Sequence, residues 1–264
     1  MNMYSDEHKK YIKKIKRNNL LIKITQILIL IIFLIVWQIL SDLEIINPFI
    51  FSSPTRIIKC LINLYLNNNL FKHILVTTYE TLISFTLGTL LGIIIASILW
   101  WNKFLAKVVD PYLTIINSLP KVSLGPIIII WFGANIKSII VMALLISVII
   151  TIITIYNAFI STDEDRIKLL KTFKASKKQI FFKLILPINF NTIISTLKIN
   201  ISMTLIGVIM GELLVSKKGI GYLIMYGSQV FNLDLVILGI ILLCIISCVL
   251  YYSILLLEKK LLKK

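Results

Sequence analysis

Glu80, Lys121, Lys198 and Glu212 are ionisable side chains set within or at the rims of long apolar runs of a 264-residue chain. A charge at membrane depth is costly, so such residues line a water-filled path, pair helices or reach back to an interface. Lys198 has the long stem needed to snorkel. Glu80, Lys121 and Glu212 fit a translocation pathway or an interfacial position, and they stand as pathway candidates. Pro120 joins them, because NSLPKVSLGPIIIIWFG places it inside an apolar run. There it removes a backbone hydrogen bond and kinks a helix. Carbonyls freed at that depth are tolerated only where protein or a cavity covers them, which points to a central, pathway-facing helix.

Residues for other chemistry are scattered. No G-x-x-x-x-G-K-S/T run occurs, so the chain has no P-loop of its own, and Gly219 with Gly221 is too little for a dinucleotide fingerprint. His8 and His73 are isolated, and Cys60, Cys244 and Cys248 lack metal-ligand spacing. No catalytic residue, metal site or cofactor is expected. Gly88-x-x-x-Gly92 and Gly207-x-x-x-Gly211 allow close helix approach, within one chain or between two.

The elements that carry these residues are membrane helices. The chain is 58% hydrophobic with a mean hydropathy of +0.94. Its apolar runs are about 20 residues long, as a bilayer-crossing helix requires, and they lack the alternation of a membrane barrel. We expect an all-α, polytopic protein with about six spans, near 21–41, 74–99, 109–132, 137–158, 187–211 and 235–257. Before them lies a basic tail, 1–20, which precedes an uncleaved first span. An outer segment, 42–73, follows that span, with a short helix from Thr55 for which Ser53-Pro54 supplies the start signal. The core covers 74–257, and a second tail covers 258–264.

The net charge of +16 is concentrated at one set of span ends. That asymmetry places both termini in the cytoplasm and argues against a nucleic-acid partner. Trp100 and Trp101 fit the interface at the end of the second span.

One polar stretch is too ordered for a plain linker. The loop 159–186 overlaps the run DEDRIKLLKTFKASKKQIFFKLILP, which begins at Asp163 and ends at Pro187. Ile167, Leu170 and Phe173, then Ile180, Phe181 and Leu184, recur near a helical turn. Ile167, Leu170 and Phe173 are expected to form an apolar docking face ringed by Lys168, Lys171 and Lys174.

From about Pro54 to the last span, the chain resembles the permease subunits of ATP-binding-cassette importers, in the nitrate, sulfonate, taurine and thiamine-precursor branch. SPTRII, LPKVSLGPIIIIWFGANIKS, KASKKQIFFKLILP and GELLVSKKGIGYLI carry the resemblance. It implies the type-1 permease fold in a prokaryotic plasma membrane. It also implies ATPase subunits, an extracytoplasmic solute-binding protein and a second permease copy in a homodimer. In that family the island carries E-A-A-x-x-x-G, and its coupling helix docks on the ATPase. Aligned through Ala175, Ser176 and Pro187, the glutamate falls on Lys168, the alanines on Leu169 and Leu170, and the glycine on Lys174. All of these residues differ from the signature. A regulatory or degenerate permease-like scaffold is therefore the competing reading, with a membrane-embedded enzyme behind it.

Overall fold

The computed structural model describes residues 6–67 and 69–262, and every element among them is helical. Asn68 and the tail lysines Lys263 and Lys264 lie outside the described residues, as do the side chains of His8, Lys9 and Lys10. The chain divides into two units, Met1–Asn63 and Leu64–Lys264.

The first unit is dominated by α1, Asp6–Asp42, whose stretch Tyr11–Asp42 is long and apolar enough to cross a membrane. At 1.5 Å per residue α1 is about 55 Å long, more than the ~30 Å hydrocarbon core, so its basic first turns extend past that core. A short turn of helix, α2 (Pro48–Phe51), is capped by Asn47, whose side chain accepts from Phe49 N–H at 2.9 Å. Gln38 at the end of α1 accepts from Thr55 N–H at 3.2 Å. That contact fixes the start of α3, Pro54–Leu66. The start signal read at Ser53-Pro54 thus opens a helix, with Ser53 Oγ accepting from Arg56 N–H at 3.4 Å.

The second unit holds α4 (Leu70–Trp101), α7 (Ile136–Ile160), α11 (Phe190–Val215) and α13 (Leu233–Leu262), all span-length and apolar. Residues 109–132, expected as one kinked span, form instead α5 (Lys103–Ser118), a 3-10 turn (Lys121–Leu124) and α6 (Gly125–Phe132), with a 90° bend between the halves. Proline chemistry explains the size of the break. Pro120 forces Leu119 into an extended conformation (φ −64°, ψ 138°) and so ends α5. Pro126, in the first turn of α6, restarts the helix where a missing N–H costs nothing. The described helices therefore supply five spans, or six if the bent pair counts as one.

Small residues let α4, α7 and α11 pack at close range. A Cβ on Gly88 would lie 2.2 Å from Ser147 Oγ, and one on Gly92 would lie 2.5 Å from Thr151 Cβ. A Cβ on Gly207 or Gly211 would lie 2.5 Å or 2.9 Å from the Cα of Ala143 or Ile139. Both glycine pairs are thus used inside this chain, against α7, which packing between helices in lipid requires.

Candidate functional site

The polar island folds as helix, turn and helix. Asp163 caps α8 (Glu164–Thr172) by accepting from Asp165 N–H at 2.9 Å. The helix closes with paired backbone bonds, Ala175 N–H to Leu170 O at 3.1 Å and Lys174 N–H to Lys171 O at 2.9 Å. This closure needs a left-handed residue, and Lys174 supplies it at φ 59°. The position that the resemblance assigns to glycine is therefore a left-handed one, occupied here by a lysine. Lys174→Gly is expected to raise thermal stability by about 1 kcal/mol, read as a higher unfolding temperature. Ser176 and Gln179 then form a capping box on α9 (Lys177–Ile180).

A π-helical turn, Phe181–Ile185, follows, and then α10 (Leu186–Ile188) carries Pro187. Pro187 has no N–H to offer the preceding turn, and Leu186 N–H reaches back to Phe181 O to close the wider ring.

The structure splits the expected docking face. Ile167, Leu170 and Ala175 pack inward on a cluster of Ala96, Ile155, Phe159, Ile180, Phe181 and Ile185. Phe173, at the closing turn, is thrown outward and is 74% exposed, and Leu169 beside it is 57% exposed. Lys168, Lys171 and Lys174 are exposed around them. The apolar surface that this helix leaves exposed is Leu169 with Phe173, because the i, i+3 row through Ile167 and Leu170 is the chain's own inner seam.

The island is also anchored to α4. Phe181 is buried with ring centroids 5.0 Å from Trp100, 5.5 Å from Trp101 and 5.6 Å from Phe159. Lys177 donates to the Trp101 carbonyl and lies 5.8 Å from the Trp100 ring centroid. The tryptophans expected at the interface thus also grip the island. Beside it, a cleft of about 540 Å³ is lined by Asn157, Thr162, Arg166, Asn189 and Thr192. Asn189 spans its floor, donating to Thr162 Oγ1 at 2.9 Å.

The pathway candidates separate. Pro120 and Lys121 sit at the α5–α6 break, where the half-buried Lys121 donates to Asn117 O at 2.7 Å and caps the end of α5. Lys198 is paired within the bundle. Its ammonium pairs with Glu258 of α13 at 2.9 and 3.0 Å, which tethers α11 to α13.

Glu80 and Glu212 both lie toward the end of the bundle opposite the island, and both are buried, 3% and 1% exposed. Thr77 donates to Glu212 Oε1 at 2.6 Å and Gly221 N–H donates to Oε2 at 2.6 Å. Ile220 N–H donates to Thr77 Oγ1 at 2.8 Å. The backbone of 216–221, leading into α12 (Ile220–Gln229), is thereby wrapped over the carboxyl of Glu212. Glycines make the wrap possible. A Cβ on Gly219 (φ 103°) would fall 2.3 Å from the Glu212 carboxyl carbon, and one on Gly221 would fall 2.7 Å from its Cβ. This is the physical content of GELLVSKKGIGYLI. His73 completes the wrap, its Nδ1 3.0 Å from both N and O of Gly219 and its ring stacked on Tyr222.

His73, Thr77, Gly219 and Gly221 were not picked out as site residues from the sequence. A usable signal existed: Thr77, Glu80, Thr81 and Ser84 repeat at i, i+3, i+4 and i+7, a buried polar stripe on an otherwise apolar helix.

This architecture is that of an ABC importer permease. A solved chain of the inward-facing MetNI methionine ABC transporter superposes with a TM-score of 0.66 at 17% identity, covering 74% of this chain and 97% of that one. The chain belongs to the family of binding-protein-dependent transport system inner membrane components, whose pattern matches residues 88–263. It is similar to the "Probable ABC transporter permease protein" of Haemophilus influenzae, 31% identical over 86% of this chain and 92% of that protein. It is also similar to the formylaminopyrimidine transport permease protein ThiX of Halalkalibacterium halodurans, 28% identical over 74% and 77% of the two chains. The taurine transport system permease protein TauC of Escherichia coli is 21% identical over 88% and 86%. The chain is thus the membrane-spanning permease subunit of an ABC importer.

Proposed function

We propose that this permease forms the path for a small solute of the kind its relatives are named for, an aliphatic sulfonate, taurine, nitrate or formylaminopyrimidine. It works with separate ATPase subunits, a second copy of itself and an extracytoplasmic solute-binding protein. Both termini and residues 159–186 face the cytoplasm, since the basic residues concentrate there. The broken segment at Pro120 and Lys121 borders the path.

One observation carries the coupling reading. Leu169 and Phe173 stand exposed within a ring of lysines, on a helix whose inner side is anchored to α4. An apolar centre with a charged rim gives a modest docking surface both affinity and orientation. The changed signature residues leave the helix closure at Lys174 in place, which favours a coupling island over a degenerate scaffold.

Crosslinking tests it. Single cysteines at 169 and 173 in the assembled transporter are expected to crosslink to an ATPase subunit. Cysteines at 167 and 170 are expected to react poorly. Adducts to lipid alone from 169 and 173 would replace docking by an amphipathic helix lying flat on the membrane.

A further inference from the structure

We propose that the end of the bundle opposite the island carries a binding site for a small oxyanion, a sulfonate or nitrate group, formed where α4 meets the 216–221 segment. The site deepens the solute-path reading above and rests on it for the identity of the solute.

The placement of charge points to it. Among the described residues, the lysines that flank this end of α4, α7 and α11 are Lys72, Lys137, Lys217 and Lys218. Three of the four, drawn from opposite halves of the chain, line one pocket of about 320 Å³. That volume lies at the small end of the roughly 300–1,000 Å³ typical of small-molecule sites. No carboxylate lines it, and Asp234 adjoins the lining residue Leu235 without lining the pocket itself. None of the three lysines is ion-paired among the described residues. Like charges gathered at one mouth repel, and a concave site lined by one sign of charge focuses its field on a counter-ion.

The cations sit on a pinned frame. Ser216 Oγ accepts from Lys218 N–H at 3.1 Å and donates to the Lys218 carbonyl. Gly219 then lies with its N and O both 3.0 Å from His73 Nδ1, and Ile220 N–H donates to Thr77 Oγ1 at 2.8 Å. Lys217 and Lys218 are therefore the tip of a fixed loop, so binding an anion orders side chains but not backbone.

Neutral donors complete the frame. Asn69 precedes α4 without capping it through its side chain, which leaves its amide for the pocket. Tyr222 and Tyr226 add two phenols, their rings stacked with centroids 5.9 Å apart, and Tyr222 stacks in turn on the buried His73. Ammonium, amide and phenol donors together suit an acceptor-only group with several oxygens.

The consequence is a choice among solutes. Aliphatic sulfonates, taurine and nitrate, for which relatives are named, carry an anionic oxygen group, whereas a formylaminopyrimidine does not. The pocket fits the anionic members of that set.

The test uses the assembled transporter in phosphatidylcholine nanodiscs, with radiolabelled methanesulfonate as the probe and ionic strength held constant. Saturable binding is expected, competed by nitrate and not by neutral dimethyl sulfone. Lys217→Gln combined with Lys218→Gln is expected to weaken it by about tenfold or more, and Lys72→Gln severalfold. Lys137→Gln, at the same end but outside the pocket, is expected to bind as the wild type does. Absence of saturable binding to the wild type, or an equal loss in Lys137→Gln, would overturn the site. Binding that disappears in phosphatidylglycerol nanodiscs would give the pocket to a lipid headgroup and equally reject it. Uptake into proteoliposomes with the binding protein separates this failure from that of the solute path. Sulfonate carried without any lysine-dependent binding rejects the site alone, while lysine-dependent binding with no anion carried upholds the site and rejects the path reading.

Discussion

Phe173→Asp is expected to abolish ATP-driven uptake while leaving the helical bundle folded. Phe173 has no inner partner to lose, being 74% exposed at the end of α8. A carboxylate at the centre of an apolar docking patch removes the contact and adds a desolvation penalty. For a residue at the centre of an interface, truncation alone costs at least ~2 kcal/mol, or about 30-fold in affinity. The informative control lies on the opposite side of the same helix. Ile167→Ala and Leu170→Ala should lower the unfolding temperature, by about 1–2 kcal/mol each for half-buried aliphatic groups, because both pack on the Phe159–Phe181 cluster. Co-purification of the ATPase and thermal unfolding, run on the same variants, separate the two faces. If Phe173→Asp still recruits ATPase at wild-type levels, the outward patch is not the docking surface.

The second large effect belongs to Phe181. This ring is 3% exposed and sits among Trp100, Trp101, Phe159 and Phe182, with centroids at 5.0 to 5.6 Å. Truncation leaves an aromatic-sized cavity between the island and α4, so Phe181→Ala is expected to cost about 3–5 kcal/mol. The loss should be local first. Limited proteolysis at the lysine-rich turns of 168–178 should accelerate before the spans unfold. Cleavage at the wild-type rate would show that the island is held by something other than this aromatic cluster.

Much of the architecture could be read from the sequence because lipid is an undiscriminating solvent. A run such as Ile136–Ile160 has few alternatives to a spanning helix once every backbone group must be satisfied internally. The break at Pro120 was legible for the same local reason, but its 90° size was not. That size depends on Pro126 restarting the helix a turn later, and on α7 as the surface against which the two halves settle.

The island shows the limit of periodicity. Helical spacing grouped Ile167, Leu170 and Phe173, but it carries no information on which neighbours cover that row. The closing turn at Lys174 then removed Phe173 from it. Glu80 and Glu212 show a different limit. Each looks like a rim residue when its own span is considered alone, whereas the bond from Thr77 to Glu212 joins helices far apart in the chain. The glycine-rich wrap over Glu212, with backbone donors arriving from 220 and 221, makes the burial of that carboxyl tolerable.

Helix α4 runs without interruption from Leu70 to Trp101, about 48 Å at 1.5 Å per residue. Its last turn is gripped by Lys177 and Phe181, and its first turns are pinned by Gly219, Ile220 and Glu212. A stiff rod seized at both ends works as a beam: it cannot tilt at one grip without straining the other. Strain introduced on the lysine-rich side is therefore borne by a handful of hydrogen bonds on the far side of the bilayer, and those bonds are where such a beam would first give way.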